Sequence, residues 1–342
     1  MSTATTWLKR SRGPLLALLP GGGQTHPATW LKQNWQDLVA RVITPILGLL
    51  VFVGVWHLGA QQIHTSLGTF PGPAQVAEQA QNLVNSHLAE NQREVEFYER
   101  QEARNTQMLE QDPDAPVRWR DYNRRPTFFD QMVTSLWTVL GGFGLATLIA
   151  VPLGVMIGLN QTLYRAVNPV IQIFKPVSPL AWLPLVTLVV SAVYASGDGG
   201  LSRSFIVSMV TVTLCALWPT LINTAVGVTS VHQDLNNVSR VLRLNWFRHV
   251  KTIVLPSAVP MIFTGLRLSL GISWMVLIAA EMLAQSPGLG KFVWDEFQNG
   301  SSNSLGRICV AVLMIGFIGF LLDRIMLLIQ KWVNWDKSAI VR

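Results

Sequence analysis

Five stretches of this chain, residues 42–60, 132–159, 176–197, 204–231 and 268–280, contain no lysine, arginine, aspartate or glutamate. A bilayer core accepts roughly 20 apolar residues per helix, and it tolerates backbone only where the polar groups are satisfied internally. Such runs therefore predict membrane-spanning α-helices. The last of them sits inside a longer segment, 252–287, interrupted only by Arg267 and Glu281; a further one, 308–332, carries Asp323, Arg324 and Lys331 toward its end. Six spans are expected. Composition agrees: half the 342 residues are hydrophobic and 13% are charged, against about a quarter charged in soluble domains.

A net charge of +7 suits a nucleic-acid binder as well as a membrane protein, so the distribution of charge decides. Lys9, Arg10, Arg12, Lys32 and Arg41 precede the first span; Arg240, Arg243, Arg248 and Lys251 lie between the fourth and fifth; Arg324, Lys331, Lys337 and Arg342 close the chain. The positive-inside rule places all three groups, and both termini, in the cytoplasm of a multi-pass protein of the bacterial inner membrane. Segment 62–128, with ten acidic residues, seven arginines and no lysine, then falls outside.

Residues 1–41 read as a cytoplasmic leader, loose through Gly21-Gly-Gly23 and amphipathic at the interface from Trp30 to Arg41. The apolar run 15–19 is short and bracketed by Pro14 and Pro20, so it does not read as a signal peptide. The first span, 42–61, follows. In the insertion 62–128, Phe70-Pro-Gly-Pro73 breaks the chain, a polar helix is predicted from about 74 to 109, and Asp112-Pro-Asp-Ala-Pro116 ends it. The core, 129–335, holds five spans, with a tail at 336–342. Gly141-Gly-Phe-Gly144, Pro152, Gly154 and Gly158 predict close helix approach in span two. Pro169, Pro176, Pro179 and Pro184 make a regular helix at span three improbable, and irregular backbone at membrane depth survives only beside protein or a cavity.

Residues 231–256 run VHQDLNNVSRVLRLNWFRHVKTIVLP. They are basic and amphipathic, with no proline before Pro256, and predict one surface helix over about 233–250. Here the chain resembles the permease subunits of ABC importers, whose cytoplasmic loop follows E-A-A-x-x-x-G, nine residues, I-x-L-P. Anchored on Leu255-Pro256, Asn237, Val238 and Ser239 stand for E-A-A, Arg243 for the glycine and Ile253 for the isoleucine, so all four leading positions depart from the pattern while the closing I-x-L-P is kept. The likeness extends through 256–283, Gly288-Leu-Gly290 and Phe292-Val-Trp294, and covers about 130–335. It is similar to the nitrate, bicarbonate, sulfonate and taurine permeases. Asn237-Val-Ser-Arg-Val-Leu-Arg-Leu244, Val177-Ser-Pro-Leu-Ala-Trp-Leu-Pro184 and the stretch from Trp218-Pro-Thr to Gly227 fit the nitrate and bicarbonate branch best.

The resemblance implies an all-α integral membrane fold, a six-span type I importer permease with a cytoplasmic coupling helix and an extracytoplasmic helical insertion. It implies alternating access, a homodimer, two ATP-binding cassette subunits, an extracytoplasmic solute-binding protein, and a small anion as cargo: nitrate first, then bicarbonate, then taurine or other sulfonates. Coupling falls to Asn237, Val238, Ser239, Arg240, Val241, Leu242, Arg243 and Leu244, with a solvated basic loop as the plainer alternative. ATP and Mg belong to the partner, since the only fragment near G-x-x-x-x-G-K-[ST], Gly288-Leu-Gly290-Lys291, continues with Phe292. No cofactor, metal or catalytic residue is expected in this chain.

Candidates for the translocation path are Lys175, Ser178, Trp182, Arg267, Trp274 and Glu281. Ionisable groups in a span usually face a cavity or a partner. Lys175 either snorkels to headgroups or meets the anion; Arg267 either lines the path or makes a structural pair; Glu281, which repels an anion, suits a structural or gating pair. Asp323 and Arg324 are expected to mark the cytoplasmic end of span six, His57 to be packed or hydrogen-bonded, and Cys215 and Cys309 to be buried inert thiols. A gradient-driven transporter would show an internal repeat or a chain of intramembrane carboxylates, and a membrane enzyme clustered polar residues in apposed spans. Neither pattern is present.

Overall fold

The structure, a computed structural model, describes residues 39–65, 68–112, 116–194, 201–301 and 303–333. The leader 1–38 and the end, 334–342, lie outside them. Apart from two two-residue strands, the regular elements described are helices. The first, α1 (Thr44–Gln62), follows a π-helical turn at Val39–Ile43 and belongs to a unit of its own, residues 1–65. Within it His57 Nε2 lies 3.2 Å from Gln61 Nε2, one turn on.

The second unit begins with α2 (Pro73–Gln111), a helix of 39 residues, about 58 Å long at 1.5 Å per residue. Its buried positions, Val76, Gln79, Leu83, Glu90, Gln101 and Asn105, fall on one face, and four of the six are polar. From Glu90 to Asn105 that face is covered by residues 116–127, which return along the helix, whereas Gln79 meets Asn303 and Gly306 near the start of the last long helix. Gln101 bonds the backbone of Arg120 in both directions, at 3.3 and 3.1 Å; Tyr122 donates its hydroxyl to Glu90 at 3.0 Å; Arg124 spans Glu94, Asn91 and Asp130 at 2.8 to 3.1 Å. The insertion is thus a helix with a polar strap. Bonds from the Arg125 N–H and the Tyr122 hydroxyl hold the Glu90 carboxyl below its ordinary range.

Thr127 and Asp130 cap one another reciprocally and start α3 (Phe128–Leu159). Next come α4 (Gln161–Phe174), capped by Asn160, and α5 (Pro179–Val193), capped by Ser178, bent by 100° at the break between them. Span three is therefore broken, as its prolines require: α5 alone has 15 residues, about 22 Å against a hydrocarbon core of about 30 Å. Then follow α6 (Arg203–Thr229), α7 (Gln233–Val241), α8 (Trp246–His249), a π turn (Val250–Val254), α9 (Leu255–Ala284), α10 (Leu289–Asn299) and α11 (Ser304–Val333). Among the described residues five helices are long and apolar enough to cross a membrane, or six with the bent pair counted as one.

The centre of the core is α6, packed between α3 and α9. A Cβ on Gly142, Gly154 or Gly158 would meet Val212, Thr224 or Val228 at 2.6–2.7 Å, so those three glycines let α3 lie against α6. Gly144 faces open space and has no such role.

Candidate coupling surface and translocation path

The predicted single surface helix over 233–250 is in fact a knee. α7 ends at Val241, and Arg243 takes the left-handed conformation at φ 49°. Leu244 N–H bonds Ser239 O at 3.1 Å and Arg243 N–H bonds Arg240 O at 3.1 Å, the crossed pair that terminates helices with a left-handed residue. That residue is most often glycine, which is what the importer pattern carries at this position. Asn245 then caps α8 by accepting from Arg248 N–H at 2.9 Å. A helix stop and a helix start therefore lie within three residues, in a stretch that holds no breaker before Pro256.

The knee is clasped by His249 Nδ1 and Ser239 Oγ, 2.8 Å apart. Ser239 is buried and Leu244 half-buried, whereas Val238, Val241, Leu242, Trp246 and Phe247 are bare, Val241 at 81% exposure. Arg240, Arg243, Arg248 and Asn237 are exposed around them. Trp246 and Phe247 were missed by the sequence argument, although the amphipathic register continued through them. From Trp246 the helix runs without a break through the π turn to Ala284, a rod of 39 residues and about 58 Å.

Near the far end of this rod Glu281 is fully buried. Ser135 Oγ of α3 lies 2.8 and 2.9 Å from its two oxygens, and Gly290 N–H donates to it at 2.9 Å. Ser135 also accepts from Leu289 N–H at 2.8 Å. A Cβ on Gly288 would meet the carboxylate, so Gly288-Leu-Gly290, with its phosphate-loop appearance, cradles a carboxylate of the same chain at the start of α10. The partners of Glu281 are hydroxyl and amide donors; Ser135, 146 residues away in sequence, gave no signal of its own.

The remaining candidates separate. Arg267 forks onto Asp323, with Nη2 to Oδ2 at 3.0 Å, and each side chain is about one-third exposed. Past Asp323 α11 continues for ten more residues to Val333, and Arg324 lies over the Phe320 ring at 4.9 Å. Trp274 is buried and donates its indole N–H to Ile315 O at 2.9 Å, fastening α9 to α11. Cys215 and Cys309 are only half-buried, free thiols.

Lys175, Ser178 and Trp182 come together at the α4–α5 bend. Lys175 is exposed and lines a pocket of about 380 Å3 between α4 and α6 with Gln161, Tyr164, Asn168 and Gln172. Ser178 accepts from Leu180 N–H at 3.3 Å, and its carbonyl accepts from Ala181 and Trp182. Trp182 stacks on Phe174 at 5.7 Å, and Phe174 on Trp218 at 6.4 Å.

Comparison with known proteins agrees with this layout. Residues 150–335 match the family described as binding-protein-dependent transport system inner membrane component. The bicarbonate transport system permease protein CmpB of Synechococcus elongatus is 32% identical over 302 residues, 88% of this chain and 92% of the relative. The nitrate import permease protein NrtB of Synechocystis sp. is 38% identical over 203 residues, 59% of this chain and 69% of the relative. A chain of the MetNI methionine ABC transporter, solved in inward-facing conformations, superposes with a TM-score of 0.51 at 16% identity, over 60% of this chain and 95% of that one, a likeness of fold. With a family match over more than half its length, this chain belongs to the inner-membrane components of binding-protein-dependent transport systems, the permeases of ABC importers.

Proposed function

We propose that the chain imports a small inorganic oxyanion, nitrate in the first place, by alternating access driven by ATP hydrolysis on a separate subunit. The observation that carries the coupling is the knee: five bare apolar side chains ringed by arginines, at the root of a continuous rod that ends in the Glu281 cradle. An ATPase groove that takes this knob moves α9, and with it everything Glu281 fastens. The assembly is a homodimer of this chain with two ATP-binding cassette subunits, which hold ATP and Mg, and an extracytoplasmic solute-binding protein. Both termini and the knee lie in the cytoplasm, and segment 62–128 outside.

Bicarbonate is the second reading, supported by the extent of the likeness: the match to the bicarbonate permease spans 88% of this chain, against 59% for the nitrate permease. The two are separated by reconstituting the complex with its binding protein in lipid nanodiscs and adding each anion in turn. Stimulation of ATP hydrolysis by nitrate alone is the expected result. Stimulation by bicarbonate alone reverses the order, and hydrolysis indifferent to both, and to taurine, ends the anion reading.

A further inference from the structure

A cleft of about 740 Å3 opens where the insertion meets the core, between α2, residues 125–128 and the start of α11. Its lining carries three arginines, Arg93, Arg125 and Arg307, four side-chain amides, two hydroxyls and a single carboxylate, Glu90. The carboxylates in and around it are all taken. Glu90 accepts from the Arg93 guanidinium at 3.3 Å, the Tyr122 hydroxyl at 3.0 Å and the Arg125 N–H at 3.1 Å. Glu296 accepts from Arg307 Nη1 at 3.0 Å and from the Ser304 hydroxyl at 2.8 Å, and Glu94 and Asp130 are held by Arg124 at 2.8 and 3.1 Å. The cations are not all taken. Arg125 is exposed, and among the described residues its guanidinium has no partner. Arg307, about one-third exposed, uses Nη1 on Glu296 and keeps its buried Nε without an acceptor. A guanidinium with no carboxylate to take it, set in a cleft among neutral amide donors, is suited to an anion whose oxygens match its parallel N–H groups.

We propose that this cleft is an oxyanion-binding site at the outer end of the protein, in which the Arg125 guanidinium holds the anion and Arg307, Asn82 and Asn85 supply further donors. Its placement outside follows the orientation proposed above, but the binding does not depend on what the protein imports. Two sources offer the same chemistry: a small free oxyanion, and the phosphate of a lipid headgroup, since the cleft lies at the first turns of two candidate spans, α3 and α11. The volume leaves room for an anion with much of its hydration water, so the site exchanges readily and its grip weakens as salt rises. Arg125 belongs to the strap, Asn82 and Asn85 to α2, and Arg307 to α11. A bound anion therefore joins the insertion to the core, and the joint gains stability with occupancy.

The test uses the permease with its ATPase subunits in lipid nanodiscs, without the binding protein, and reads hydrogen exchange over 123–127 and 303–307 together with the unfolding temperature. In discs of phosphatidylcholine, nitrate or inorganic phosphate added at constant ionic strength should slow exchange in both segments. Chloride should not, because a single atom cannot accept the two parallel N–H groups of a guanidinium as an oxyanion does. Arg125→Gln should raise the half-saturating oxyanion concentration several-fold. Asn82→Asp, an isosteric change at an exposed position that puts a carboxylate in the lining, should abolish the effect. Both variants should unfold at the wild-type temperature when no oxyanion is present. If the occupant is a headgroup phosphate, discs containing phosphatidylglycerol show the slow exchange with no oxyanion added, and both variants lose it. Exchange that answers to neither source, answers equally to chloride, or answers alike in the wild type and Arg125→Gln overturns the proposal. None of these measurements requires transport, so a failure of the import reading is seen separately.

Discussion

The strap of the insertion and the knee between α7 and α9 have similar length and opposite chemistry. Against 116–127 the polar groups of α2 are taken up within the chain: Glu90, Asn91, Glu94, Gln101 and Asn105 all bond the returning segment. At the knee one side-chain clasp, Ser239 to His249, holds the shape, and large apolar side chains are left bare. A segment whose polar groups are paired within its own chain is complete by itself. One that exposes Val241, Leu242, Trp246 and Phe247 together beside basic residues is incomplete, and its free energy improves when another surface covers it.

The sharpest way to break this contrast is to charge the bare face. Val241→Asp or Leu242→Asp should cut uptake by at least tenfold while membrane insertion and the amount of folded permease stay at wild-type levels, as read by uptake assay and by size-exclusion chromatography. Normal uptake would show that the knee is an ordinary solvated loop. An aspartate added to the exposed strap residue Trp119 should change little.

Next in size is the cradle that ends the rod. Glu281→Ala leaves the Gly290 N–H and the Ser135 hydroxyl buried without their acceptor, a cost of about 1–3 kcal/mol for each group. We expect a fall of several degrees in the unfolding temperature in detergent. Gly288→Ala, which drives a methyl group into the carboxylate, should lower it as well.

The strap predicts its own pH dependence. Bonds to Glu90 favour the charged carboxylate and lower its pKa in the folded chain, so their contribution is complete above the ordinary carboxylate range and is lost as pH falls through the lowered value. Protection of the 116–127 amides against hydrogen exchange, taken relative to the intrinsic rate at each pH, should therefore stay high at neutral pH and fall on acidification below that range. Glu90→Gln should give faster exchange already at neutral pH. Smallest is Arg243→Gly, which relieves a left-handed residue of about 1 kcal/mol and should slow hydrogen exchange at the end of α7. If the guanidinium meets an acidic group of the ATPase, the same variant lowers uptake as the knee stiffens.

Much of this was legible beforehand. Apolar runs placed the spans to within a few residues, and proline density foretold the break between α4 and α5. Pro73 and Asp112 bracketed α2, because breakers act locally. The knee was misread as a straight helix: its stop depends on a left-handed arginine and its restart on the Asn245 cap, two signals weaker than proline. Arg267 and Asp323 were both visible as charges in apolar surroundings, yet their pairing depends on α9 and α11 lying side by side, which no local pattern encodes.

The sequence by itself determined that the chain is a multi-pass membrane protein, which segments are long and apolar enough to cross, and, through the 231–294 block, which family it belongs to. These follow from composition and short-range order, where the free energy of transfer into lipid and the helical period dominate. The tertiary structure alone decided the partners of the charged and polar groups. Glu281 reaches Ser135 across 146 positions, Trp182 and Trp218 close on Phe174, and Trp274 is taken up in fastening α9 to α11. In a low-dielectric interior a polar group is worth what its partner makes of it, and partners are assigned by packing.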